Sequence, residues 1–108
     1  MKLLSRIEEL ILLSIFRLKE EAYGVRILDE VIATTKENWL QGAIYGPLAR
    51  LQKNGYVEAI KGEPTPERGG RAKVYYKLTK DGIEALKKVN EVNSVIWKNI
   101  DETELENN

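Results

Sequence analysis

Apolar positions crowd the start of the chain. Between Ser5 and Leu18 they fall at Ile7, Leu10, Ile11, Leu12, Leu13, Ile15, Phe16 and Leu18. This spacing predicts a helix that is apolar nearly all round, and such a helix needs burial on several sides. A second copy of the chain is one source of such a side, with Ile11 and Ile15 as the positions that would meet it. Ser5 followed three residues later by Glu8 has capping-box spacing and marks the helix start. A polar break follows at Lys19–Glu21. Val25, Leu28, Val31 and Ile32 then form the apolar stripe of a second helix, from about Tyr23 to Ala33. A third is expected from about Leu40 to Asn54, with Ile44, Leu48 and Leu51 facing inward at steps of four and three. Pro47 removes a backbone donor inside it, so an irregular or late start is expected. Asn54-Gly55 supplies the stop, with Gly55 suited to left-handed backbone.

The period then changes from helical to alternating. Tyr56–Lys61 alternates and reads as a short strand, as does Lys73–Leu78. Between them lies "GEPTPERGGRA", a loop of Pro, Gly and charge. Two strands around such a connection form a hairpin with an extended tip. Thr79 is placed to cap a last, long helix, in which Ile83, Leu86, Val89, Val92, Ile96 and Ile100 recur at three- and four-residue steps. The tail "DETELENN" is acidic and is expected to fray. Three helices, a strand, a long loop, a strand and a long helix give a mostly α chain with a two-stranded β wing, an α+β class. The second and third helices form a helix-turn-helix and the hairpin its wing. Residues 1–79 make this winged helix-turn-helix and residues 80–108 a C-terminal helix with an acidic tail, within one compact domain.

Composition adds constraints. The chain has 108 residues with no His and no Cys, so no disulfide, thiolate metal site or imidazole base is available. Glu8 and Glu9 interrupt the first apolar run, so it does not read as a signal peptide, and no run is long enough to span a bilayer. These features lead us to expect a soluble, cytoplasmic protein without metal or cofactor. Lys and Arg total 17 and Asp and Glu 17, yet the charges are segregated. Residues 1–40 carry 6 cations against 7 anions, residues 41–80 carry 8 against 3, and residues 81–108 carry 3 against 7. A basic middle between neutral and acidic ends gives an electrostatic footprint on one face.

That footprint suits double-stranded DNA. A third helix of this kind fits a major groove, while a basic loop reaches phosphate or the adjacent minor groove. Arg68, Arg71 and Lys73 flank Gly69-Gly70 at the expected loop tip. Arginines there would form charge-assisted bonds to phosphate, the glycines would allow close backbone approach, and Pro64 and Pro66 would stiffen the ascending arm. The plain alternative is a solvated hairpin tip. Gln41, in the first turn of the third helix, is placed to bond a base edge or a phosphate.

The stretches "EELILLSIFRLKEEAYGVRI", "GAIYGPLARLQKNGYVEA" and "GEPTPERGGRAKVYYKLTKDGIEAL", with the late "IW", resemble short members of the PadR family of bacterial transcriptional regulators. The resemblance spans most of residues 8–97. It implies a homodimeric repressor on an inverted-repeat operator, with the third helix reading DNA, the wing gripping the backbone and the last helix making much of the dimer. Gly42, Tyr45, Arg50 and Lys53 match the family's recognition-helix pattern, Arg68 and Arg71 the wing, and Tyr23-Gly24 the "AYG" opening of the second helix. Relatives often carry Ser where this chain has Leu40, so the third helix lacks that side-chain cap. The dimer positions implied are Ile11, Ile15, Leu86, Val89, Val92, Ile96 and Ile100. In some short relatives a Trp on the last helix stacks on flat ligands at the dimer interface. Trp97 is therefore either a platform for a small aromatic effector or part of the dimer core. Tyr23 and Tyr45 have a second reading as side chains packed on the first helix. Tyr75 and Tyr76 alternate faces, so at least one should be core, and Trp39 reads as a packing anchor.

Two other function classes compete with this one. A winged helix can serve as a protein-interaction module without specific DNA binding, and only Arg50 and Lys53 give the third helix positive charge. An enzyme is disfavoured by the missing His and Cys. The Gly-rich loop is not a Walker A phosphate cradle either, since no Lys-Ser or Lys-Thr follows it at the required spacing.

Overall fold

A computed structural model describes residues 2–64 and 72–107 of the chain. Helix α1 (Arg6–Leu18) begins with the expected reciprocal cap: Ser5 Oγ accepts from the Glu8 amide, and Glu8 Oε1 accepts from the Ser5 amide at 2.7 Å. A single 3-10 turn, Lys19–Glu21, leads to α2 (Gly24–Thr35). Helix α3 (Gln41–Lys53) follows, then strands β1 (Val57–Pro64) and β2 (Ala72–Leu78), helix α4 (Lys80–Trp97) and a short α5 (Glu102–Glu106).

Helix α1 is the hub. It touches α2, α3, β2 and α4, and it contributes the fully buried Ile11 and Leu12. Ile27 and Val31 of α2, Ile44, Leu48 and Leu51 of α3, Val57 of β1, and Ala85 and Val89 of α4 close the core around it. The inner face of α3 is thus the one its spacing predicts. The stripe of α2 differs: Ile27 and Val31, four residues apart, are fully buried, while Val25 is 49% exposed. Helix α4 differs too. Its buried line is Gly82, Ala85 and Val89, small side chains that let the helix approach closely, and Ile83 turns outward at 40% exposure.

Pro47 does not delay α3. The helix runs unbroken from Gln41, with Leu40 as an N-cap that lends no side-chain bond. The proline is buried, so its ring fills core space, which offsets part of the ~3 kcal/mol that an interior proline costs a helix. Gly55 takes the left-handed backbone the sequence calls for, at φ 82°.

The two strands pair antiparallel, with Val57 opposite Leu78, Ala59 opposite Tyr76 and Lys61 opposite Val74. Strand β1 continues past Lys61 to Pro64 across an irregularity in register. The base of the hairpin is pinned from the other side, where the Tyr76 amide donates to the Ala22 carbonyl at 2.8 Å and Tyr23 bridges Tyr75. Thr79 caps α4, accepting from the Gly82 amide at 3.1 Å and donating to the Gly55 carbonyl at 2.6 Å. The acidic tail does not fray completely. Asp101 accepts from the Thr103 amide at 3.0 Å and starts α5, a short helix whose residues are all exposed. Among the described residues, no helix is long and apolar enough to cross a membrane.

Candidate nucleic-acid interface

The outward side of α3 follows from its inward side. Once Ile44, Pro47, Leu48 and Leu51 are buried, Gln41, Gly42, Ala43, Arg50, Gln52 and Lys53 are left in solvent. This surface is polar and cationic, and α3 is packed firmly enough behind it to present it as a fixed shape.

Tyr45 lies between the two sides. It is half-buried, and its ring rests on the start of α2. A Cβ at Gly24 would stand 3.0 Å from Tyr45 Cε1 and 3.1 Å from its hydroxyl, so the glycine makes room for the ring. The packing expected of Tyr45 is found against α2 and not α1, and the residue keeps part of its surface in solvent.

Tyr45 shares a cleft of about 290 Å³ with Tyr23, Val25, Lys73 and Tyr76, where the start of α2, the middle of α3 and the base of β2 meet. Lys73 Nζ sits 4.2 Å above the Tyr23 ring, a cation–π contact that holds its charge over the cleft. The Tyr23 ring in turn meets Tyr75 edge-on, centroids 5.7 Å apart. Burial, and then the neighbouring Tyr45, push the Tyr76 hydroxyl above the usual phenol range, so Tyr76 keeps its proton and its neutrality at physiological pH. The cleft therefore combines the Lys73 cation with the hydroxyl-bearing rings of Tyr23, Tyr45 and Tyr76, a combination suited to a phosphate or sugar edge.

Tyr23, Tyr45 and Lys73 thus meet in one cleft, while Gln41, Gly42, Arg50 and Lys53 are exposed along α3 and are not part of its lining. Arg68, Gly69, Gly70 and Arg71 lie outside the described residues. Val25 and Tyr76 also line the cleft, where the sequence reading did not place them. Val25 looked like part of the inward stripe, and the fifty residues between Tyr23 and Lys73 leave no local spacing to reveal their contact.

The residues expected at a dimer seam separate into two groups. Ile11, Ile15 and Val89 are 0%, 3% and 7% exposed within the protomer's own core. Leu86 and Val92 are half-buried, while Ile96 and Ile100 are 66% and 42% exposed. Beside them Val95 and Trp97 are also open, so the far end of α4 and the residues just after it carry an apolar surface that no other described residue covers. Where α4 leaves α1, Asn93 Nδ2 donates to Glu9 Oε2 at 3.3 Å, and Arg6 pairs with the other oxygen of that nearly buried carboxylate at 3.0 Å. Trp39 donates from its ring nitrogen to Thr35 Oγ1 at 2.8 Å and packs on the core, as an anchor would.

Residues 12–88 match the family described as Transcriptional regulator PadR-like. No curated protein sequence matches the chain. Among solved structures, a transcriptional regulator from Clostridium thermocellum is similar at 26% identity and a TM-score of 0.68, over 84% of this chain and 85% of that one. A PadR-like transcription factor from Bacteroides fragilis is 26% identical with a TM-score of 0.65, over 94% of this chain and 89% of its own. A PadR family transcription regulator from Clostridium difficile shares the fold, at 21% identity and a TM-score of 0.63, over 94% of this chain and 97% of the other.

Proposed function

The chain belongs to the PadR-like family of transcriptional regulators, which are not enzymes, and from that premise we propose that it is a homodimeric repressor that binds an inverted-repeat operator through α3 and the wing. The observation that carries this reading is the cleft in which Tyr45 of α3 and Lys73 of β2 stand together. It makes the helix and the wing root one continuous surface, so a duplex seated on α3 also meets the Lys73 charge. In this reading Gln41, Arg50 and Lys53 approach base edges or flanking phosphates. Tyr23 and Tyr45 position the backbone, and Arg68 and Arg71 with Gly69-Gly70 continue the grip along the wing. Residues 80–108 assemble the dimer through the open end of α4, where Val95, Ile96, Trp97 and Ile100 supply the apolar surface.

Fluorescence anisotropy on the chain's own upstream DNA and on scrambled DNA, at several salt concentrations, tests it. Binding should favour one sequence and fall steeply with salt. Lys73→Ala should weaken both DNAs alike. It should flatten the slope of log K against log salt by about 1 per protomer. A slope unchanged by Lys73→Ala would remove the cleft from the DNA contact. Salt-insensitive binding would remove the whole reading.

A further inference from the structure

Gly62 of β1 has no side chain, and the space beside it is already taken. A Cβ built there would stand 2.7 Å from Tyr75 Cε2 and 3.3 Å from Tyr75 Cδ2. The Tyr75 ring therefore lies on the bare backbone of Gly62. Tyr75 pairs with Ile60, and Gly62, two residues further along β1, is within diagonal reach of an aromatic side chain. Tyr75 is half-buried, and it is not among the residues that line the DNA-facing cleft.

The same ring is held from a second direction. It meets the Tyr23 ring with centroids 5.7 Å apart and planes at 81°, an edge-to-face pair. The backbones of Tyr23 and Tyr75 are joined as well, by a bridge outside the hairpin. The Tyr23 ring in turn carries Lys73 Nζ 4.2 Å from its centroid. Lys73 and Tyr75 are two residues apart on β2, so their side chains leave the same face of the strand. Gly62, Tyr75, Tyr23 and Lys73 thus form a series in which each seats the next. A lysine free in water samples many rotamers, and ordering it on a phosphate costs free energy. One already laid on a ring has given up part of that freedom before DNA arrives.

We propose that Tyr75 is a positioning residue for DNA binding: seated on Gly62, it fixes the plane of the Tyr23 ring, and that ring holds the Lys73 charge over the cleft. The link to DNA affinity rests on the DNA-binding reading above, while the aiming of Lys73 does not. Tyr75 touches no DNA itself and acts through Tyr23. Ring carbons make its contact with Gly62, so Phe at this position should serve as well. Gly62 acts through Tyr75, so a side chain at position 62 matters chiefly while the ring is present. The next obstacle there is the Lys73 carbonyl oxygen at 3.3 Å, which needs only a small adjustment.

The test uses Tyr75→Phe, Tyr75→Ala, Gly62→Ala, Lys73→Ala and the doubles Tyr75→Ala/Lys73→Ala and Gly62→Ala/Tyr75→Ala, all in the full chain, with two readouts. The first needs no DNA. Protons of the Lys73 side chain beside Nζ should be shifted upfield in the NMR spectrum by the Tyr23 ring current. That shift should persist in Tyr75→Phe and be lost in Tyr75→Ala and Gly62→Ala. The second is anisotropy on the upstream and scrambled duplexes across salt concentrations. Tyr75→Ala and Gly62→Ala should each weaken both duplexes about threefold or more, the size of an aromatic-pair contribution, and Tyr75→Phe should bind as wild type does. Tyr75→Ala/Lys73→Ala should match Lys73→Ala within about twofold, and Gly62→Ala/Tyr75→Ala should match Tyr75→Ala equally closely. Losses that add in the doubles, or a Tyr75→Phe as weak as Tyr75→Ala, would overturn the proposal in favour of a general structural role. An upfield shift retained in Tyr75→Ala would overturn the aiming of Lys73. If Tyr75→Ala does not fold, Gly62→Ala against Tyr75→Phe makes the same comparison. A lost shift with DNA affinity unchanged would overturn the link to binding. Wild type that shows the shifts as expected but binds no DNA at any salt would sink the DNA-binding reading and leave the positioning of Lys73 standing.

Discussion

Replacing Gly82 by Ala separates two effects of opposite sign. Gly82 lies in the first turn of α4, and by helix propensity alone Ala should stabilise by up to about 1 kcal/mol. Against this, Gly82 is buried, and a Cβ built on it would overlap the Tyr56 carbonyl oxygen, with Tyr56 C only 3.1 Å away. The obstacle is backbone and cannot rotate aside. That same carbonyl accepts the Thr79 amide at 3.1 Å, and Thr79 also donates to the Gly55 carbonyl. Relieving the overlap means pulling the start of α4 away from the start of β1 and loosening both bonds. Overpacking of this kind costs about 1–3 kcal/mol, and a hydrogen bond about 1 kcal/mol. The steric side wins, for a net loss of about 2 kcal/mol. At about 4–8 °C per kcal/mol for a domain of this size, Tm should fall by roughly 8–16 °C. Thermal and urea unfolding followed by circular dichroism would measure it. Gly46→Ala is the internal control, because the nearest atom to a Cβ there is Arg50 Nη1 at 3.8 Å. It should stabilise by about 0.5–1 kcal/mol. If Gly82→Ala were as stable as wild type, or rose with Gly46→Ala, the claim that α4 is seated by backbone contact at Tyr56 would be refuted.

Ile96→Glu places a carboxylate on the open apolar end of α4 and should convert the proposed dimer to a monomer in sedimentation velocity without lowering helix content; a persistent dimer would place the seam elsewhere. Asn93→Asp sets a second carboxylate against Glu9 and should cost about 1–2 kcal/mol at pH 7, with the deficit shrinking toward pH 4 as acid neutralises one of the pair, readable from urea midpoints at both pH values. Tyr76 has its folded pKa raised, so its contribution to stability is complete below the ordinary phenol pKa of about 10 and is lost as pH climbs through and above it. Tyr76→Phe should therefore show a shallower alkaline decline than wild type in urea midpoints between about pH 8 and 11, and an unchanged decline would assign the effect to other groups.

What could be read from the sequence was what depends on near neighbours in the chain. Ser5 with Glu8, Thr79 ahead of α4 and Gly55 after α3 each act within a few residues, and each appears where expected. The inner face of α3 was legible for the same reason, since Ile44, Leu48 and Leu51 need only a helical period. Failures came where a distant partner decides. Val25 and Ile27 are equally apolar, and only the packing of α1 selects Ile27 for burial. Pro47 argued against a regular helix because its local cost was visible and its compensation, a place in the core, was not. Ile11, Ile15 and Val89 were assigned to a second copy because a chain read one helix at a time does not show how much of α1 its own later elements will cover. The Lys73–Tyr23 contact and the Glu9–Asn93 bond, the latter 84 residues apart in sequence, have no local signature.

The central position of α1 also bears on how the chain is made. Its apolar surface emerges during synthesis before the elements that cover it, which are spread from α2 to α4 along the chain. At ~5–20 residues per second, the ribosome takes on the order of 5–15 s to travel from α1 to α4. Throughout that interval the nascent chain carries a greasy helix that is only partly sheltered by α2 and α3. Translation speed and chaperone supply in the host should therefore govern the yield of this protein more strongly than its modest length suggests.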